Sequence, residues 1–165
     1  MNASDSDLHK HYRPNVGVIL FNRAGDVWFG RRCDAEASAP WFWQWPQGGV
    51  DKGEDPRAAA TRELKEETGV VSARLLMMTP GWLTYDFPPE YAKKNWKGQR
   101  QKWAAMMFEG DDTEIDLTAD DHQEFDDWRW GALEEAPSLI VPFKRAIYEE
   151  LTTAFTPLRD FISAQ

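Results

Sequence analysis

The sequence contains a single cysteine, Cys33, and its apolar runs are short. One cysteine excludes an intramolecular disulfide, and with no second cysteine nearby we interpret Cys33 as structural or incidental. The apolar run Val16–Phe21 is far below the roughly 20 residues that a membrane-spanning helix needs. The N-terminal letters MNASDSDLHKHY lack the apolar core of a signal peptide, so we expect a cytoplasmic protein without a membrane partner.

Basic residues are also in deficit. The chain has 19 Lys and Arg against 28 Asp and Glu, which gives a net charge of −9. A protein that holds a long nucleic acid by its backbone needs the opposite balance, so any nucleic-acid partner should be bound locally, at an end. Histidine is scarce, and the positions of His9, His11 and His122 favour surface residues over zinc ligands.

What the chain does contain is enough apolar material for one domain, because 42% of its 165 residues are hydrophobic. Patterning predicts strands at about 14–22, 26–32, 72–79, 81–87, 100–109 and 125–131, and helices at about 56–68 and 142–154. The last helix should place Phe143, Ile147, Leu151 and Ala154 on one stripe. We therefore predict an α+β fold, with a flexible segment over 1–10, one domain over 11–156 and a tail over 157–165.

The most informative segment is GGVDKGEDPRAAATRELKEETGV, which begins at Gly48. It has the spacing G-x5-E-x7-R-E-U-x-E-E-x-G-U, where U is a bulky apolar residue, at Gly48, Glu54, Arg62, Glu63, Leu64, Glu66, Glu67, Gly69 and Val70. Asp55 is a good N-cap, Pro56 suits the first helical position, and Gly69 is a good helix stop. So many fixed positions make this motif much more specific than a lone glycine loop.

Three glutamates of this helix should share one edge. Glu63 lies three and four positions before Glu66 and Glu67, and such residues are neighbours on a helix surface. Carboxylates ~5 Å apart repel by roughly 3 kcal/mol at an effective dielectric near 20, so the cluster favours a bound cation. Oxygen-only ligands suit Mg²⁺ or Mn²⁺. A glutamate-rich stretch alone is more often a solvated face, but the fixed positions of Glu54 and Arg62 favour a metal site.

This spacing resembles the Nudix box of the Nudix hydrolase superfamily. The resemblance implies a mixed β-sheet sandwiched between α-helices, and hydrolysis of a nucleoside diphosphate linked to another moiety, with water attacking phosphorus. It implies a bound Mg²⁺, replaceable by Mn²⁺ or another divalent cation and held by Glu63, Glu66, Glu67 and Gly48. It also implies that Arg62, paired with Glu54, orients the metal ligands.

Further strings resemble one branch of that superfamily, the bacterial RNA pyrophosphohydrolases and the related diadenosine tetraphosphate hydrolases. They are YRPNVGVIL (12–20), GRR (30–32), WQWPQGGV (43–50), GQRQKW (98–103), EFDDWRW (124–130) and PFKRAIYEE (142–150). The resemblance covers nearly the whole chain, and generic Nudix enzymes would not be expected to carry these strings together.

The same resemblance implies site residues outside the box. Glu124 becomes a fourth metal ligand or the base for water, although its acidic surroundings alone would indicate an ordinary loop carboxylate. The implied substrate-binding residues are Arg13, Arg32, Tyr85, Gln99, Lys102, Phe143 and Lys144. The cations would bind a polyphosphate, since guanidinium and ammonium groups match phosphate oxygens. Phe143 and Tyr85 would stack on a nucleobase, though the helical stripe favours core packing of Phe143 equally.

The leading functional hypothesis is a Mg²⁺-dependent enzyme that removes pyrophosphate from 5′-triphosphorylated RNA and leaves a 5′-monophosphate. The alternative is a dinucleoside polyphosphate hydrolase of the diadenosine tetraphosphate type, which would use the same metal site on a small symmetrical substrate. A third hypothesis is an inactive Nudix domain that senses nucleotides. The intact Arg62, Glu63, Glu66 and Glu67 argue against it, because a sensor does not need the full metal-binding set.

Overall fold

Strands β1 (Tyr12–Phe21) and β7 (Gly98–Phe108) form the centre of the sheet. This computed structural model describes residues 9–35, 42–91 and 95–165. The two strands run parallel and pair along their length, from Tyr12 with Gly98 to Phe21 with Met107. All residues of β1 from position 15 to its end are buried. The short apolar run noted in the sequence is therefore the middle of the core, as expected for a strand with parallel pairing that is covered on both faces.

The other strands extend the sheet around this pair. They are β2 (Val27–Arg32), β3 (Trp43–Gln44), β4 (Gln47–Gly49), β5 (Ala73–Met78), β6 (Leu83–Asp86) and β8 (Phe125–Gly131). Strand β4 pairs antiparallel with β1. Strands β3 and β8 both pair with β2. Strands β5 and β6 both pair with β7. The longer strands lie where the sequence predicts them. The patterning did not predict β3 and β4, because two or three residues are too few to show a period.

Among the helices of the described residues are α1 (Pro56–Thr68), α2 (Ala136–Leu139) and α3 (Arg145–Ser163). Alternate side chains of β7 enter two separate cores, because successive residues of a strand point to opposite faces. Trp103 and Ala105 pack in one core with residues of α3. Ala104 and Met106 pack in the other with Leu64 of α1. The sheet therefore lies between helices, and the predicted α+β sandwich is confirmed.

Helix α1 begins and ends as the sequence predicts. The Asp55 carboxylate accepts a hydrogen bond from the Arg57 backbone N–H at 2.7 Å, and Pro56 occupies the first turn. At the other end, Gly69 has φ 77°, the left-handed conformation that glycine adopts without steric cost. Its N–H donates to the Lys65 carbonyl at 2.9 Å. These two caps fix where α1 begins and ends.

The last helix is longer than predicted. Residues 142–144 form a short 3-10 segment, and α3 then continues past Pro157 to Ser163. Ala154 is exposed, and Phe155 is buried in its place. Pro157 lies inside the helix although it cannot donate the helical hydrogen bond. Burial of Ile162 at 5% exposure favours continuation, so residues 157–163 are not the predicted tail.

Two further predictions concern the N-terminus and membranes. The predicted flexible segment 1–10 lies almost entirely outside the described residues. In the ranges that the structure does describe, no helix combines the length and the apolar character that crossing a membrane requires.

The end of α3 provides a test of its packing. Ile162→Ala should lower the free energy of unfolding by about 2 kcal/mol, because it removes a buried aliphatic side chain. Phe161→Ala is the matched control, because Phe161 is the neighbour of Ile162 in sequence and is 65% exposed. This substitution should change stability by less than about 0.5 kcal/mol. Urea unfolding followed by circular dichroism measures both. Equal effects of the two substitutions would show that this end of the helix does not pack on the core.

Candidate active site

Strand ends, loops and one edge of α1 enclose a polar cavity of about 410 Å³. Its lining contains carboxylates at Glu63, Glu66, Glu67, Asp120 and Glu124, cations at Arg13, Arg32 and Lys144, amides at Asn15, Gln44, Gln47 and Gln99, and also Gly48, Gly49 and His122. Acidic and basic groups thus share one space. This arrangement suits a cation and a polyanion that bind together.

The Arg62 guanidinium joins the segments that form the acidic wall. Its Nε and Nη2 donate to the two Glu54 oxygens, each at 2.9 Å, as a bidentate pair. Nη1 donates to Glu63 Oε1 at 2.8 Å and to Glu66 Oε2 at 3.3 Å. Nη2 also donates to the Gly49 carbonyl at 2.9 Å. The structure therefore brings the predicted pair Arg62 and Glu54 into contact and links it to β4 and α1.

These bonds stabilise the charged forms of both partners. The Arg62 hydrogen bonds, followed by the Asp51 backbone N–H, lower the pKa of Glu54 to about 2. The pKa of Arg62 is raised, chiefly by its hydrogen bonds to Glu54. Both members of the pair are therefore ionised at neutral pH.

Glu63 packs directly on Gly48. A Cβ atom added at Gly48 would overlap the Glu63 carboxylate, so only glycine allows this close approach of helix and strand. The Glu63 side chain is 12% exposed. Burial raises the pKa of Glu63, and the hydrogen bond from Arg62 opposes this rise. The glycine of the motif thus holds an ionisable group against the cavity wall.

Glu67 is the most deeply buried carboxylate of the cluster, with 6% exposure. Its Oε2 accepts a hydrogen bond from the Gln47 backbone N–H at 3.1 Å. Burial raises the pKa of Glu67 well above its usual value, and the nearby charges of Glu63 and Glu124 raise it further. A carboxylate in these surroundings is stabilised by a nearby positive charge.

Glu124 reaches the same cavity from the residue before β8. Its backbone carbonyl accepts a hydrogen bond from the Cys33 N–H at 2.9 Å, which anchors this part of the loop to the end of β2. His122 Nε2 lies 3.1 Å from Glu124 Oε1. The sequence indicated only a surface histidine here and did not single out Asp120, yet both line the cavity. Loop geometry places them there, and residue spacing does not reveal it.

The cationic side chains line the cavity with the amides. Arg13 lies close to Gly49, and Arg32 forms an ion pair with Asp34. Lys144 is buried, with 7% exposure. Burial, and to a smaller extent the charge of Arg32, lowers the pKa of Lys144 to about 7. Of the predicted phosphate-binding cations, the structure therefore brings these three together.

Lys102 does not join them. Gln99 lines the cavity, and since strand residues alternate between faces, Lys102 on the same strand faces the other side. Its Nζ lies 5.1 Å from the centroid of the Trp82 ring. Lys102 therefore lies apart from the cations of the cavity, because the spacing in GQRQKW puts it out of phase with Gln99, and its role in substrate binding stays a prediction.

The two predicted stacking residues lie side by side next to the cavity. Tyr85 is 8% exposed, donates a hydrogen bond to Gln99 and packs its ring 5.9 Å from that of Phe143. It therefore has little free face for a nucleobase. Phe143 is half-buried and contacts the Tyr91 ring at 5.2 Å between centroids. Phe143 keeps part of its ring accessible while it packs on the core.

An amide network behind the cavity was not predicted from the sequence. Gln101 Nε2 donates to Asn15 Oδ1 at 2.9 Å and to Gln47 Oε1 at 3.2 Å. Gln101 Oε1 accepts from Trp103 Nε1 at 3.2 Å. The network joins β1, β4 and β7, three strands from distant parts of the sequence. Asn15 and Gln101 are both buried, so the network satisfies polar groups that burial would otherwise leave unpaired.

The ligands offered for a metal are all oxygens, at Glu63, Glu66, Glu67, Glu124 and the Gly48 carbonyl, which is the donor set that Mg²⁺ and Mn²⁺ prefer. Within the described ranges, no three acidic, histidine or cysteine side chains are yet arranged to hold an ion. Glu63 points to Arg62, and Glu67 points to the Gln47 N–H. The residues that line the cavity therefore fit a divalent cation chemically.

A sheet between two helices, with a glutamate-rich helix at a polar cavity, defines a Nudix domain, and the NUDIX domain family matches residues 11–151. An RNA pyrophosphohydrolase of Caulobacter vibrioides is 57% identical over 152 residues, covering 89% of this chain and 87% of that protein. The chain belongs to the Nudix family, and the predicted resemblance to the bacterial RNA pyrophosphohydrolases is confirmed. Nudix hydrolases generally use divalent metal ions.

Two solved structures support the fold. The Escherichia coli dihydroneopterin triphosphate pyrophosphohydrolase has a TM-score of 0.65 and 20% identity, covering 88% of this chain and 99% of that one. A Caenorhabditis elegans Ap4A hydrolase complex has a TM-score of 0.57 and 19% identity, covering 87% and 98%. At this identity the similarity shows the fold alone.

The buried charge of Glu67 leads to a prediction with two opposite readouts. Glu67→Gln should sharply reduce kcat, because it removes an anionic ligand. In EDTA, the melting temperature of the same variant should be about 2–4 °C above that of wild type, which corresponds to about 1 kcal/mol of stability. The reason is that the desolvated charge is gone, while the Gln side chain still accepts the hydrogen bond from the Gln47 N–H. Turnover and thermal unfolding measure the two effects.

Glu149→Gln is the control, since Glu149 is exposed on α3, and both readouts should match wild type. Mg²⁺ should raise the melting temperature of wild type by mass action, and should raise that of Glu67→Gln much less. A Glu67→Gln variant with normal turnover, or with a lower melting temperature in EDTA, would contradict the assignment.

Proposed function

We propose that this protein is a cytoplasmic, Mg²⁺-dependent RNA 5′-pyrophosphohydrolase that converts 5′-triphosphorylated RNA to 5′-monophosphorylated RNA. The observation that carries the proposal is the polar cavity in which five box and loop carboxylates share one space with three cations. The Caulobacter relative, named an RNA pyrophosphohydrolase, supports RNA as the substrate because it matches nearly the whole chain at 57% identity.

The acidic wall supplies the metal site and the proton acceptor. Glu63, Glu66 and Glu67 would hold the cation with the Gly48 carbonyl, while Arg62 positions the first two carboxylates. A bound divalent cation would neutralise phosphate charge and favour attack of water on phosphorus. Glu124 completes the ligand set or accepts the proton of the attacking water.

The reaction balances without a further reactant. The water oxygen forms a bond to the α-phosphorus, the bond from that phosphorus to the bridging oxygen breaks, and pyrophosphate leaves with that oxygen. One proton of water passes to a carboxylate and then to solvent. The RNA keeps its α-phosphate as a 5′-monophosphate.

The basic wall holds the substrate. Arg13, Arg32 and Lys144 would contact the triphosphate, and guanidinium groups bind phosphate oxygens in bidentate pairs. Gln99 adds an amide to the same wall. The accessible part of the Phe143 ring, next to Lys144, would stack on a nucleobase near the 5′ end. Recognition is then concentrated at the chain end, as the net charge of −9 requires.

Glu124 can be tested against an acidic neighbour. Glu124→Gln should lower kcat at least tenfold with little change in KM, because its contribution arises mainly in the transition state. Asp127→Asn is the matched control, since Asp127 is an exposed carboxylate of the same string and is absent from the cavity lining. Steady-state kinetics on triphosphorylated RNA provide the measurement. Equal, mild effects from both variants would return Glu124 to the status of an ordinary loop carboxylate.

The rival substrate is a dinucleoside polyphosphate, since the three cations of the cavity would hold either polyphosphate. Turnover of a triphosphate-ended RNA and of diadenosine tetraphosphate should be compared at equal concentration with saturating Mg²⁺. We expect the higher kcat/KM for RNA, with a 5′-monophosphate and pyrophosphate as products. Diadenosine tetraphosphate hydrolysed orders of magnitude faster would favour the rival, and no turnover of either would favour a nucleotide sensor.

A further inference from the structure

Tyr91 is a large aromatic residue that the fold leaves open to solvent. It ends the short 3-10 segment Pro89–Tyr91, where its N–H donates to the Pro88 carbonyl at 2.9 Å. Its side chain is 53% exposed, although its ring lies 5.2 Å from that of Phe143 with 40° between the planes. Core packing does not account for an aromatic ring that is more than half exposed, and its free face can bind another ring.

A continuous series of contacts leads from the cavity to Tyr91. Lys144 lines the cavity, and its Nζ lies 5.9 Å from the Phe143 ring centroid. Phe143 in turn contacts Tyr91, and it also packs on Tyr85, whose hydroxyl donates to Gln99. Each of these steps corresponds to about one to two rises of a stacked nucleic-acid strand at ~3.4 Å. A chain whose 5′ phosphates lie in the cavity would therefore pass Tyr91 within its first few nucleotides.

We propose that Tyr91 binds a nucleobase of the RNA one or two nucleotides beyond the 5′ end, against the exposed face of its ring. This inference rests on the proposed RNA substrate. A base cannot enter between the two rings, because stacking on both sides needs about 7 Å, twice the base spacing, and the centroids are 5.2 Å apart. Phe143 is half-buried, so Tyr91 offers the larger free aromatic surface. Stacking binds any base and requires no further positive charge.

The dependence of kcat/KM on substrate length separates base binding by Tyr91 from a structural role of this residue. The values of kcat/KM should be measured for wild type and Tyr91→Ala on a nucleoside triphosphate, a triphosphorylated dinucleotide and a triphosphorylated trinucleotide. We expect Tyr91→Ala to be equal to wild type on the nucleoside triphosphate and to lose about fivefold to a hundredfold on the longest substrate, the range for one lost base–aromatic stack. Equal losses on all three substrates would overturn the proposal, because they would indicate a structural role.

Two further variants distinguish stacking from packing on Phe143. Tyr91→Phe keeps the aromatic face and should retain wild-type activity, whereas Tyr91→Leu keeps apolar bulk and should lose activity like Tyr91→Ala. Wild-type activity of Tyr91→Leu would overturn the proposal in favour of packing alone. Phe161→Ala is the control for removal of an exposed aromatic residue elsewhere, with 65% exposure, and should have no effect on any substrate.

Removal of the base gives the complementary measurement. Two triphosphorylated trinucleotides should be compared, one abasic at the second position and one abasic at the third. We expect wild type and Tyr91→Ala to have the same kcat/KM on one of the two, the one that lacks the base bound by Tyr91. A difference that persists with both abasic substrates would overturn the proposal. If wild type cleaves RNA while Tyr91→Ala behaves identically, only this inference fails; if wild type does not cleave RNA, the proposed function fails as well.

Discussion

Arg62 donates hydrogen bonds to three segments that meet at the acidic edge of the cavity. It binds Glu54 in the loop before α1, the Gly49 carbonyl in β4, and Glu63 with Glu66 on α1 itself. Because the guanidinium is planar and its donors have fixed directions, these bonds together restrict where each carboxylate can lie. A lysine ammonium could not reproduce this set. The acidic edge of the cavity is therefore positioned by a cation that is not among the residues lining the cavity.

The hydrogen bonds from Arg62 do not reach all the carboxylates of the cavity equally. Glu63 and Glu66 receive hydrogen bonds from Arg62, whereas the nearest donor to Glu67 is the uncharged Gln47 N–H. Glu67 is also the more deeply buried group, and its pKa is raised well above its usual value, mainly by burial. The folded protein without a cation thus carries an electrostatic cost at Glu67. Such a cost is common at functional sites, where stability is lower than the sequence would otherwise allow, and a divalent cation in the cavity would offset it.

How much the sequence predicts depends on the range of the interaction. Helix α1 was predicted with its limits because its signals are local: Asp55 caps it, Gly69 ends it, and the glutamates lie within four residues of one another. The box residues therefore follow from spacing. Lys102 was grouped with Gln99 because strings of matched letters do not reveal strand phase, which puts the two residues on opposite faces of β7. The bonds of Gln101 depend on pairing of strands that are far apart in sequence, and no local pattern indicates which strands become neighbours.

The cationic wall has to attract a polyanion to a protein of net charge −9. Repulsion of the RNA body is screened beyond about 8 Å at physiological ionic strength, so favourable contacts are required only over the first nucleotides. Among the three cations of this wall, burial lowers the pKa of Lys144 to about 7. An anion beside Lys144 raises that pKa again, so protonation and polyphosphate binding favour each other. The more negative the bound end, the stronger this coupling becomes, which favours a triphosphate over a monophosphate product in the same cavity.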